Sequence, residues 1–175
     1  MSKPRVQSDG KKWLKKAQLR LVHTLKKAKN LKKISKLGPK SRHWHVELEI
    51  VGSAKMKKIN SKFLRKNYAT DVLSFPSGAP FYPKGLLGSL VICLPVLKRQ
   101  ARERKLTPEM ELQILLAHGV LHLLGLDHEK SRRASLEMAK LEDLLLRATV
   151  PAAWIRKTEG ECLKGLTGRV FGLNL

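Results

Sequence analysis

The 175-residue sequence predicts an α+β fold, a small mixed sheet of about four strands packed against about five helices in one domain. Three observations carry that reading. Residues 44–51 alternate strictly, with Trp44, Val46, Leu48 and Ile50 on one side and His45, Glu47 and Glu49 on the other. That period of two marks a strand with one buried face. Residues 108–124 instead read as a helix from their start signal, and residues 130–147 as another from their apolar content. Strands and helices also come in mixed order, without the regular alternation of a doubly wound sheet.

In chain order, residues 3–7 are too short a stretch to assign. Gly10 precedes a helical pattern with Leu14, Ala17, Leu21, Leu25 and Ala28 on one face and Val22 beside it. Lysines fill the rest of that helix. Residues 30–42, Lys-rich and closed by Gly38-Pro39, read as a loop. After the strand at 44–51, Gly52-Ser53 suggests a turn and an N-cap for a short helix carrying Met56, Ile59, Asn60 and Phe63. Residues 71–75 form a strand ended by Pro76, residues 76–85 a Pro/Gly-rich loop, and residues 87–94 another strand.

Pro95 suits the first turn of a helix running to about Lys105. Thr107-Pro108-Glu109 combines an N-cap, a first-turn proline and an early acid, and opens a helix ending near Gly125. A last helix over 130–147 draws its apolar content from Leu136, Ala139, Leu141 and Leu144–Leu146. Residues 1–149 thus form one domain with a basic N-terminal helix, and residues 150–175 a C-terminal extension. Trp154, Ile155, Val170, Phe171 and Leu173 are expected to dock that extension on the body.

The chain holds 36 Lys and Arg against 14 Asp and Glu, a net charge of +22. Residues 1–70 carry 21 basic and 3 acidic residues, so +18 of that charge lies there. Such an excess calls for a polyanion, nucleic acid first. Lys11, Lys12, Lys15, Lys16, Lys26, Lys27 and Lys66 are the candidate RNA contacts. Few aromatics argue against extensive base stacking and for backbone-directed, salt-sensitive binding. Two cysteines, Cys93 and Cys162, build no disulfide framework and fit a reducing compartment, so a cytoplasmic location is expected. No apolar run approaches the ~18–20 residues of a membrane span. Residues 11–29 are basic, amphipathic and acid-free, which keeps organelle targeting as a minor alternative.

Residues 118–128 concentrate the chemistry, with three of the six histidines within eleven residues. His118 and His122 stand at i and i+4 on a predicted helix, so their imidazoles project from one face about a turn apart. Gly125 is placed to end that helix in the left-handed conformation, letting the chain bring His128 toward the same point. Three histidines and an open fourth position describe a catalytic zinc site, one ion per chain, although Ni²⁺, Cu²⁺ and Fe²⁺ also accept imidazole. Gly119 stands where a zinc peptidase carries its glutamate base, which disfavours a metallopeptidase. Asp127 is expected to orient a ligand imidazole or to serve as a base. Three neutral ligands leave the ion's charge uncancelled, which suits a phosphodiester. His43 and His45 flank Trp44 with no third ligand at a useful spacing and read as exposed strand residues.

His-Gly-Val-Leu-His-Leu-Leu-Gly-Leu-Asp-His, residues 118–128, resembles the signature of the YbeY family. The resemblance extends to Thr70 through Pro76, to Leu87-Gly88, to Lys98 through Ala101, and to Asn60 and Phe63, covering about residues 44–147. It implies a single-strand-directed, zinc-dependent endoribonuclease acting in ribosomal RNA maturation and ribosome assembly. The implied partners are ribosomal RNA and the small ribosomal subunit, with His118, His122 and His128 on the metal. Leu64 departs from the pattern, because the family usually has an arginine directly after the aromatic. Ala69 and Ser89 replace a proline and an acid. Arg65, one residue on, is the candidate substitute for the arginine, although one step along a helix turns a side chain by about 100°. An RNA- or ribosome-binding assembly factor with structural zinc and little cleavage is the alternative.

Overall fold

The computed structural model describes residues 4–78 and 82–154, with side chains from residue 9 onward. Its elements run α1 (Pro4–Asn30), α2 (Lys32–Ser35), β1 (His45–Val51), α3 (Ser53–Leu64), β2 (Val72–Pro76), a 3-10 turn (Pro83–Gly85), β3 (Leu86–Cys93), α4 (Leu94–Glu103), α5 (Pro108–Leu123) and α6 (Arg132–Thr149). The sheet is mixed, as expected of an α+β domain. Its order is β1-β3-β2, with β3 parallel to β1 and antiparallel to β2. It has three strands among the described residues, where the sequence suggests about four.

Burial follows from where each strand sits. Central β3 is covered on both faces, which explains its unbroken apolar run Leu90–Cys93. Leu90 and Ile92 join the main core with α1, α5 and α6. Val91 and Cys93 join a smaller core with Met56 of α3 and Val96 of α4. Edge strand β1 alternates, as read from its sequence, with Val46, Leu48 and Ile50 packed on the main core and Glu47 and Glu49 exposed. Helix α5 is apolar on nearly every side because it is the hub, meeting β2, β3, α1, α4 and α6. Its Leu112, Leu115, Leu116 and Leu121 are fully buried. No helix among the described residues is long and apolar enough to cross a membrane.

Five local expectations are corrected. Helix α1 begins at Pro4 and runs through Gly10, so residues 4–7 are helical and not an isolated stretch. Its inward stripe starts one residue earlier than expected, from Trp13 through Ala17, Leu21, Leu25 and Ala28, while Val22 is 67% exposed. The loop over 30–42 contains the single turn α2, pinned by fully buried Ile34. Gly52, not Ser53, is the N-cap of α3. Ser53 is already helical and sets its hydroxyl 3.9 Å from Cys93 Sγ. In α6, Leu136 is 45% exposed and Met138 takes the buried place instead.

Candidate metal centre

The centre begins with how α5 starts and stops. Thr107 caps it as expected, its hydroxyl accepting from the Met110 N–H at 3.2 Å. At the other end, the Gly125 N–H donates to His122 O and the Leu126 N–H to Leu121 O, with Gly125 at φ 88°. This paired closure needs a left-handed residue, which glycine supplies without a Cβ penalty. The chain reverses there, and His128 returns to the helix end.

His118 Nε2 and His122 Nε2 lie 3.1 Å apart. One ligand nitrogen from each of His118, His122 and His128 falls within 4.8 Å of the others. Nitrogens held tetrahedrally at the usual zinc distance stand roughly 3.3 Å apart, so the first pair already has the spacing of metal ligands. The His122 imidazole is pushed down to about 4, first by burial and then by the neighbouring His118 and His128, with Asp127 pulling the other way. It is therefore neutral at neutral pH, with a lone pair to give. Residues and geometry fit a divalent cation that accepts imidazole.

The three histidines face a cleft of about 710 Å³. Asp127 lines it and accepts from the Glu129 N–H at 3.0 Å, which stiffens the turn that carries His128. Lys66 and Arg104 are the Lys and Arg side chains on its wall, with Phe63 and Tyr68 as exposed rings. The Phe63 ring stands edge-on to Phe75 at 5.1 Å. Arg104 is held by fully buried Glu111, with one guanidinium nitrogen 3.3 Å from both carboxylate oxygens.

Leu64 lies on the cleft wall, 51% exposed. Arg65 is exposed and takes the left-handed C-cap of α3 (φ 57°), and it is not part of that wall. Of the seven candidate lysines, Lys66 lines the cleft, and Lys11, Lys12, Lys15 and Lys26 are exposed on α1. Lys26 borders a separate groove between α1 and β1. Lys27 is half-buried, and Lys16 is tied to Glu109 at 2.6 Å. His23, His43 and His45 are exposed and stand apart from the centre. Trp154 packs on the body, with the Arg20 guanidinium 5.2 Å from its ring. Ile155, Cys162, Val170, Phe171 and Leu173 lie outside the described residues.

Two groups escaped sequence reasoning. Arg104 reaches the cleft from the end of α4. Glu142 of α6 lies behind His118, its Oε2 3.6 Å from His118 Nδ1. A signal for Glu142 was present, because an acid falls on the buried stripe of α6 with Met138, Leu141 and Leu145.

Fold and centre together define an α+β domain built around a three-histidine, metal-type cluster that opens on a cleft. The family profile described as Endoribonuclease YbeY matches residues 6–149. The chain belongs to the YbeY endoribonuclease family. It is 56% identical over 87 residues to the Endoribonuclease YbeY of Bdellovibrio bacteriovorus, covering 50% of this chain and 55% of that one. It is 53% identical over 90 residues to that of Solibacter usitatus, covering 50% and 58%. The match thus spans little more than half the length of these relatives. To the Endoribonuclease YbeY of Thermodesulfovibrio yellowstonii it is 41% identical over 123 residues, covering 69% and 77%. The solution structure of TM1509 from Thermotoga maritima superposes with a TM-score of 0.53 at 27% identity, covering 87% of this chain and 89% of that one.

Proposed function

We propose that the chain is a zinc-dependent endoribonuclease that cleaves single-stranded segments of ribosomal RNA in the cytoplasm. It would act during maturation and assembly of the small ribosomal subunit, with one zinc ion per chain. The observation that carries this reading is the convergence of His118, His122 and His128 on one point of the cleft. A three-residue donor set is typical of catalytic rather than structural zinc. When bound, zinc supplies Lewis acidity that offsets charge growing on a phosphoryl oxygen.

The chain's own residues divide the remaining work. Lys66 and Arg104 place positive charge on the cleft wall for the phosphates. Arg104 is the better fixed, because Glu111 holds its guanidinium. Phe63 and Tyr68 offer ring faces on which unpaired bases stack. Asp127 holds the turn that carries His128. The exposed lysines of α1 grip the RNA backbone away from the centre.

The assembly-factor reading, with structural zinc and little cleavage, draws on Leu64. The cleft wall is apolar where the family resemblance places an arginine, and Arg65 caps α3 instead. A metallopeptidase is disfavoured, because a Cβ on Gly119 would come within 2.7 Å of Leu90 Cδ2 in the core. That position packs on β3 and holds no carboxylate beside His118. Precursor ribosomal RNA incubated with the zinc-loaded chain distinguishes these readings. Discrete fragments that vanish with chelator support the nuclease, and tight binding without fragments supports the assembly factor.

A further inference from the structure

Glu142 is 4% exposed, and neither of its carboxylate oxygens has a hydrogen-bond partner among the described residues. His118 Nδ1 is likewise buried and unpartnered. The two face each other, Oε2 to Nδ1, at 3.6 Å. A buried polar group left without a partner is destabilising, and more so when it is charged. Here two such groups lie a few tenths of an ångström beyond hydrogen-bond length, one an acceptor and the other able to donate. On its opposite edge, the same imidazole turns Nε2 toward His122 Nε2 at 3.1 Å.

We infer that Glu142 is a positioning residue for the three-histidine centre. Its carboxylate accepts from the His118 Nδ1–H, which fixes the tautomer whose Nε2 lone pair faces the cluster. A carboxylate behind a ligand imidazole also raises the basicity of that ligand and adds negative charge near the cation. The inference rests on the metal-centre reading above. A merely structural role predicts otherwise, since replacing a buried acid by an apolar residue of similar volume is often neutral or stabilising and leaves metal affinity alone.

The test compares the wild-type chain with Glu142→Leu and Glu142→Gln. Zinc affinity is read by chelator competition, and the His118 tautomer of the metal-free chain at pH 8 by nitrogen-15 NMR of the ring. The wild-type ring is expected to carry its proton on Nδ1. Glu142→Leu is expected to lose that preference and to bind zinc about ten- to a hundredfold more weakly. Glu142→Gln keeps an acceptor oxygen, so it should keep the tautomer and lose less affinity. A wild-type ring protonated on Nε2, or wild-type zinc affinity in Glu142→Leu, overturns the inference. The wild-type tautomer needs no variant and decides the matter if Glu142→Leu fails to fold. Failure of the wild-type chain to bind zinc removes the metal-centre reading itself, a result distinct from unchanged affinity in the variant.

Discussion

His118 and His122 hold their Nε2 atoms 3.1 Å apart across one turn of α5, and His128 joins them only because the chain reverses at Gly125. That reversal is the hinge of the centre. Gly125→Ala puts a Cβ on a residue at φ 88°, a conformation that disfavours side chains. The expected cost is about 1–2 kcal/mol of folding stability, together with weaker zinc binding as His128 is re-aimed. Urea unfolding and zinc titration on one protein sample check both.

Leu64 and Arg65 make opposite predictions. Leu64→Arg adds a guanidinium to the cleft wall, and a charge-assisted hydrogen bond to phosphate is worth about 1.5–3 kcal/mol. Cleavage of precursor ribosomal RNA should rise by at least about tenfold. Arg65 lies outside that wall, so Arg65→Ala should leave the rate within about twofold. The reverse ordering of the two variants would reassign the phosphate contact to Arg65.

The Lys16–Glu109 pair ties the basic helix to the helix that carries the centre. The Lys16 hydrogen bond, opposed by partial desolvation, holds the Glu109 carboxyl below the ordinary carboxylate range. A carboxyl lowered in the folded state stabilises at pH above its unfolded value near 4.3. That contribution is lost as pH falls through the folded value. Both side chains keep about a third of their exposure, 37% and 31%, so the effect is small. Lys16→Met should cost about 0.5 kcal/mol at pH 7, and the difference should vanish in strong acid. Chemical denaturation over a series from pH 7 into strong acid measures it.

Exposed Lys11, Lys12, Lys15 and Lys26 should act on RNA through charge alone. Replacing all four by glutamine should flatten the slope of log affinity against log salt by about 0.7–0.9 per lost phosphate contact. Zinc affinity should not change. Fluorescence anisotropy over a salt series shows whether the slope moves.

Much of this was legible in the sequence, for identifiable reasons. The β1 alternation, the Thr107 cap and the Gly125 stop are local signals, and each appears where residue chemistry puts it. The inward face of α1 starts at Trp13 where the pattern predicts Leu14, because both are apolar and only packing against the core decides between them. The pairing of β3 with β1 and β2 depends on contacts distant in sequence, beyond the reach of local pattern. In the centre, the three histidines belong to one segment and were readable together. Arg104 and Glu142 come from other helices, and only the fold brings the one to the cleft wall and the other behind His118.

Metal content and RNA cleavage, measured side by side for the wild-type chain and His122→Ala, test the central claim most directly. The wild-type chain should carry one zinc ion and cut precursor ribosomal RNA, and His122→Ala should lose both together. Stoichiometric zinc retained in His122→Ala, or undiminished cleavage by that variant, would contradict the three-histidine centre.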